Sequence, residues 1–147
     1  MQADAEKLAI FERSLMRCAE ELGDITPMVA SAFYQTYPEA LAIFQEHYAG
    51  SKGALEGEMV EQVLYCLMTW YAAPREIEIV VLSTFPHHVE TLRVMPEQFS
   101  GFVDAVCQVI ASTVPPDAAE EHAVLDDLRG VFRDLAAKSR ALLRVPG

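Results

Sequence analysis

Apolar residues recur along this chain at intervals of three and four, and prolines and glycines cut the pattern into pieces of helical length. Leu8, Phe11, Leu15, Cys18 and Leu22 form one stripe, with Asp4 placed to cap it and Gly23 to end it, which predicts a first helix. Thr26-Pro27 opens a second, carrying Val29, Ala32, Phe33 and Tyr34 and stopping before Pro38. Pro38 starts a short segment that reaches Phe44, and a polar loop with two glycines is expected from Gln45 to Gly53. From about Ala54 to Ala72 a long helix bears two adjoining apolar faces. One holds Val60, Leu64, Leu67 and Tyr71, the other Met59, Val63, Cys66 and Trp70, so burial against several neighbours is expected. Pro74 and Pro96 begin two more helices, the second facing inward through Phe99, Phe102, Val103, Val106, Cys107 and Ile110. Pro115-Pro116 breaks the chain again, and Asp117 begins a last long helix with Leu125, Leu128, Phe132, Leu135 and Leu142.

Ile77-Glu78-Ile79-Val80-Val81 is rich in β-branched residues, but the proline at its head and the three-four spacing favour helix over strand. The expectation is therefore an all-α chain of about seven helices, one of them short, forming a single domain over residues 1–147. One ridge ends unusually. Ile77, Val81, Phe85 and His88 share a helical face, whereas the row ending in His87 passes through Val80 and Thr84 and is less apolar. An imidazole at the end of an apolar ridge either finds a polar partner in the core or binds something.

Composition narrows the partners. Apolar residues make up 52% of the chain, enough to cover helices on one side. No apolar run is long enough to span a bilayer, and Met1 to Glu6 is acidic without a signal-peptide core, so no membrane partner and a cytoplasmic location are expected. With 11 basic and 22 acidic residues, the net charge of −11 disfavours nucleic acid and anionic lipid, while it can suit a basic redox partner. Cys18, Cys66 and Cys107 lie far apart without a CxxC pair; Cys18 and Cys107 fall on apolar stripes as small core residues, and a zinc site is not expected. His47, in the polar loop, and His122, beside Glu120-Glu121, read as surface histidines.

The order of elements, with three local patterns, resembles the globins, single-domain bacterial haemoglobins among them. Tyr34 precedes Pro38 by four residues and Phe44 follows it by six; His88 is followed by Val94 and then Pro96-Glu97-Gln98-Phe99; and Leu125, Leu128 and Phe132 match the last helix of that family. The resemblance covers nearly the whole chain and implies a three-over-three helical sandwich around haem b. It further implies His88 as the axial iron ligand, Phe44 packing on the porphyrin, Val60 lining the gas pocket, and Val94 and His87 in contact with the cofactor, His87 at a propionate. Thr84, one turn before His88, would be the nearest group to hold the other ring nitrogen.

The sequence departs from the family in four places. Thr84 stands where leucine is usual, Pro86 lies two residues before His88, the loop between His88 and Pro96 is one residue longer than in many relatives, and no distal histidine exists. Counting back from His88 puts the distal position at Glu56, which on its own reads as a solvated helix residue; Ala30 falls where relatives often carry tyrosine or leucine, and Tyr34 or Tyr65 could supply a hydroxyl by rotating in. The expected function is reversible binding of a diatomic gas (oxygen, nitric oxide or carbon monoxide), with no residue assigned a catalytic role. Two alternatives stand beside it. One is a haem-free globin-like sensor or interaction domain. The other is nitric oxide dioxygenation driven by a separate reductase, since no GxGxxG motif is present.

Overall fold

Seven α-helices and no strand make up the described residues of the computed structural model, which are 2–87 and 95–143. In order they are α1 (Gln2–Leu22), α2 (Thr26–Thr36), α3 (Pro38–His47), α4 (Lys52–Trp70), α5 (Pro74–His87), α6 (Pro96–Ala111) and α7 (Ala119–Leu143). The all-α expectation holds, and no helix among the described residues is long and apolar enough to cross a membrane.

Local chemistry places most of the boundaries. Gly23 adopts φ 67°, a left-handed conformation that a side chain would oppose, and its N–H closes α1 on the Ala19 carbonyl at 2.9 Å. Asp24 then accepts the Thr26 N–H at 3.0 Å, and Pro27 lies in the first turn of α2. Pro38, Pro74 and Pro96 each open a helix, where the missing N–H leaves no helical bond unmade. At the head of α6 the Gln98 side chain also reaches back to accept the Met95 N–H at 2.9 Å.

Several expected boundaries move: α1 begins at Gln2, so Asp4 lies in its first turn instead of capping it, and α4 runs from Lys52 to Trp70, two residues earlier at each end than expected. The third helix continues beyond Phe44 to His47, because Gln45 and Glu46 are polar but good helix formers. The last begins at Ala119 rather than Asp117, residues 116–117 forming a turn instead.

The core centres on α6, which packs most extensively on α7 and α2. Phe102 from α6 meets Phe33 of α2 edge-on, with ring centroids 5.1 Å apart. At Gly101 the Tyr37 ring comes so close that an added Cβ would stand 2.2 Å from Cε2, so only glycine fits there. Phe132 of α7 is fully buried between Trp70 and Phe99, at 6.1 and 6.4 Å. Cys18 and Cys107 are buried in this core, as their stripes imply.

The first turn of α7 is held to α1 by a carboxylate. Glu121 is 4% exposed, takes a bidentate pair from Arg17 at 2.5 and 3.0 Å, and accepts the Ser14 hydroxyl at 2.5 Å. Nearby, the Tyr71 hydroxyl donates to Asp127 at 2.6 Å. His122 is partly exposed, and a ring nitrogen lies 3.1 Å from the Pro115 carbonyl oxygen in a solvent-exposed contact. The side chain of His47 lies outside the described residues.

Candidate functional site

Helices α4, α5 and α6 do not close on one another along their length. Between them lies a cleft of about 370 Å³, within the range of roughly 300–1,000 Å³ usual for small-ligand sites. Its α4 wall is Leu55, Met59, Val63 and Cys66, spaced four, four and three so that they share one helical face. Val80, Val81 and Thr84 come from α5, and Phe99 and Phe102 from α6.

The polar groups on these walls are largely turned inward to the protein. The Thr84 hydroxyl donates to the Val81 carbonyl of its own helix at 3.0 Å. Burial pushes the Cys66 thiol up to about 11, so at neutral pH it is an uncharged, weakly polar surface. Gln98 is committed twice, to the Met95 N–H and, through its amide nitrogen, to Glu39 of α3 at 3.3 Å. The result is a mainly apolar slot with the exposed Glu58, Glu61 and Gln62 of α4 at its rim.

The residues singled out from the sequence are distributed unevenly around this slot. His88 and Val94 lie outside the described residues, as does the side chain of His87. Phe44 is buried, but against Tyr34 and Tyr48, edge-on at 6.1 and 6.3 Å, and not on the cleft wall. Val60 lies elsewhere. It is 4% exposed and faces α1 and the α1–α2 turn, lining a different cleft with Leu15, Cys18 and Ile25. Three residues further along α4 brings Val63 to the slot instead, because α4 has two apolar faces and Val60 belongs to the one turned toward α1.

Glu56 departs from expectation. Expected in solvent, it is 7% exposed and its Oε2 accepts the Tyr34 hydroxyl at 2.6 Å and the Lys52 ammonium at 2.8 Å. Lys52 precedes it by one turn and also lies 5.3 Å from the Tyr34 ring centroid, so the buried carboxylate has its charge paired and its Oε2 hydrogen-bonded twice. Burial, reinforced by the Glu56 carboxylate, drives the Tyr34 phenol well above its ordinary range and keeps it a donor. Neither Glu56 nor Tyr34 is a lining residue of the slot. Tyr65 is 47% exposed and donates to Glu76 at 3.3 Å, also away from it. Ala30 is buried in α2.

Sequence reasoning assigned no role to Met59, Val63 or Cys66, although their spacing was visible as the second face of the long helix. No group of three or more histidine, cysteine, aspartate or glutamate side chains that could hold a metal ion occurs among the described residues. Compared with known proteins, the chain has no significant match to a family model, a curated protein or a solved structure.

Proposed function

We propose that this chain is a globin-like haem protein, a three-over-three arrangement of its seven helices, which holds haem b in the slot between α4, α5 and α6 and binds a diatomic gas at the iron. The observation that carries the reading is the slot itself, an apolar space of about 370 Å³ with Thr84 on its α5 wall. Continuing the lining positions Val80, Val81 and Thr84 by one helical turn gives His87 and His88, so the ridge that borders the slot is the ridge that runs toward the two histidines.

The walls suit a flat, mostly apolar group. Met59, Val63 and Phe102 present hydrocarbon, Cys66 presents a neutral thiol, the amide of Gln98 is engaged elsewhere, and the polar side chains of Glu58, Glu61 and Gln62 stand at the exposed rim. Bound haem would supply an iron with a position for a gas opposite the protein's imidazole. The chain's own part is to deliver that imidazole from His88, to take a propionate at His87, and to keep water off the α4 side through Met59 and Val63. With the hydroxyls of Tyr34 and Tyr65 turned to Glu56 and Glu76, no tyrosine donor faces the slot, and a bound gas would be retained by apolar contact. Nitric oxide chemistry would draw electrons from a separate basic donor, to which a net charge of −11 is complementary.

A second reading, a globin-like module without haem, is favoured by one observation. Phe44 and Val60, which the family resemblance would bring to the cofactor, both pack away from the slot.

The absorbance spectrum of the purified chain with added haemin separates the two. A saturable Soret band that shifts or weakens in His88→Ala, and less so in His87→Ala, is the expected outcome. A spectrum that is unchanged in His88→Ala overturns the ligand assignment, and a chain that takes up no haemin leaves the haem-free module.

A further inference from the structure

On the opposite side of α4 lies a second cleft, of about 360 Å³, between α4, α1 and the turn that joins α1 to α2. Its floor is apolar. Cys18, Ile25 and Val60 are buried there, and Leu15 and Leu64 flank them. Two carboxylates stand at its exposed edge, Asp24 from the turn and Glu61 from α4, and no lysine or arginine lines it. Glu61 makes no ion pair among the described residues, and Asp24 has one oxygen on the Thr26 N–H. The basic side chains of the adjoining helices that are partly buried are committed elsewhere, Arg17 to Glu121 and Lys52 to Glu56.

Gly57 makes the space. It sits inside α4, where glycine weakens a helix relative to alanine. Packing does not require it there, for a Cβ added at Gly57 meets nothing within 4 Å. The contrast with Gly101, against which Tyr37 is pressed, shows what a glycine demanded by packing looks like in this same chain.

We propose that the α1–α4 cleft is a binding site for small organic cations, which place a protonated amine at Asp24 and Glu61 and a hydrocarbon body on the floor of Leu15, Ile25, Val60 and Leu64. The two parts of the site select together. The floor rewards apolar area, and the two exposed carboxylates, neither in an ion pair with a lining residue, favour a positive group over a neutral or anionic one of the same shape. The size fits a small molecule. A second copy of this chain is a poor occupant, because each brings a net charge of −11 to the contact. The cleft shares only Glu61, on the exposed edge of α4, with the α4–α5–α6 slot, and its apolar floor does not depend on haem.

The test uses the full chain and phenethylammonium chloride as probe, with phenylacetate as the anion of similar skeleton, followed by amide NMR. Phenethylammonium should give saturable shifts at Gly57, Glu61 and Ile25, and phenylacetate should not. Asp24→Asn with Glu61→Gln should weaken binding by about three- to tenfold, the scale of two exposed charge contacts. Gly57→Leu, which removes a helix-weakening residue and fills the cleft, should abolish the shifts without lowering the melting temperature. Shifts that do not saturate, that centre away from Gly57, that phenylacetate produces equally, or that survive Gly57→Leu would each overturn the proposal.

Discussion

The two sides of this molecule are built differently. Around α6 the helices α1, α2 and α7 bury Phe11, Phe33, Phe102 and Phe132, and a carboxylate clamp joins α1 to α7. Around α4 the packing is looser, and a cleft opens on each of its two apolar faces. A helix that is apolar over so wide an arc is expected to be buried all round. Here it meets partial neighbours on both sides, and the spare apolar surface lines space. The difference suggests a division of labour, in which one side holds the fold and the other can afford openings for ligands.

If that division is real, truncations should differ sharply between the sides. Phe132→Ala removes a ring fixed between Trp70 and Phe99 and leaves a closed cavity, so it should cost about 3–5 kcal/mol in denaturant unfolding. Against a total of roughly 5–15 kcal/mol for a domain of this kind, that is a large share. Met59→Ala removes a half-buried side chain that already borders open space, so about 1 kcal/mol is expected. Equal losses at the two positions would mean that the slot is filled in solution by moving side chains, and the contrast would fall.

The clamp between α1 and α7 gives a second contrast, this time with pH. The Arg17 guanidinium, with help from the Ser14 hydroxyl, holds the Glu121 carboxyl at about 2, against an ordinary 4.5. Because the folded-state value is the lower one, the stabilisation is complete above about pH 4.5 and is lost as pH falls toward 2. Glu121→Gln should therefore be less stable than wild type at neutral pH, by less than Phe132→Ala is. The gap should close between those two values, since glutamine and a protonated glutamate hold Arg17 comparably poorly. A stability difference that stays constant from pH 7 to 2 would show that the clamp acts by shape and not by charge.

Much of the helical framework was legible because its punctuation is covalent. Pro27, Pro38, Pro74 and Pro96 lie in first turns, and Gly23 is the left-handed stop, so five boundaries depend on residue type and little else. Glu56 was not legible. Whether a carboxylate in the first turns of a helix is solvated depends on which helix passes over it, and nothing local says that Tyr34 does. Val60 and Val63 illustrate the same limit. Both faces of α4 were visible as apolar rows, but which row meets α1 and which meets α5 and α6 is settled only by the packing of those helices. His88, from which the functional reading started, lies outside the described residues, so the slot supports that reading only by leading up to it.

The smallest effect is the most direct probe of the contrast, because it uses one substitution at two sites. Gly101→Ala and Gly57→Ala each add a methyl group to a helix interior and gain up to about 1 kcal/mol of helix propensity. At Gly57 nothing stands within 4 Å, so the gain should appear in full as a higher unfolding midpoint. At Gly101 the new methyl would lie 2.2 Å from the Tyr37 ring, which must move. That ring contacts Phe33 at 5.3 Å and its hydroxyl donates to the Glu97 carbonyl at 3.2 Å, so displacing it gives up both. The overpacking cost of about 1–3 kcal/mol should outweigh the propensity and make Gly101→Ala a net loss. In a Tyr37→Ala background the obstacle is gone, and Gly101→Ala should then stabilise as Gly57→Ala does. If Gly101→Ala is already stabilising in the wild-type chain, the Tyr37 ring yields freely, and the α2–α6 contact is looser than its geometry indicates.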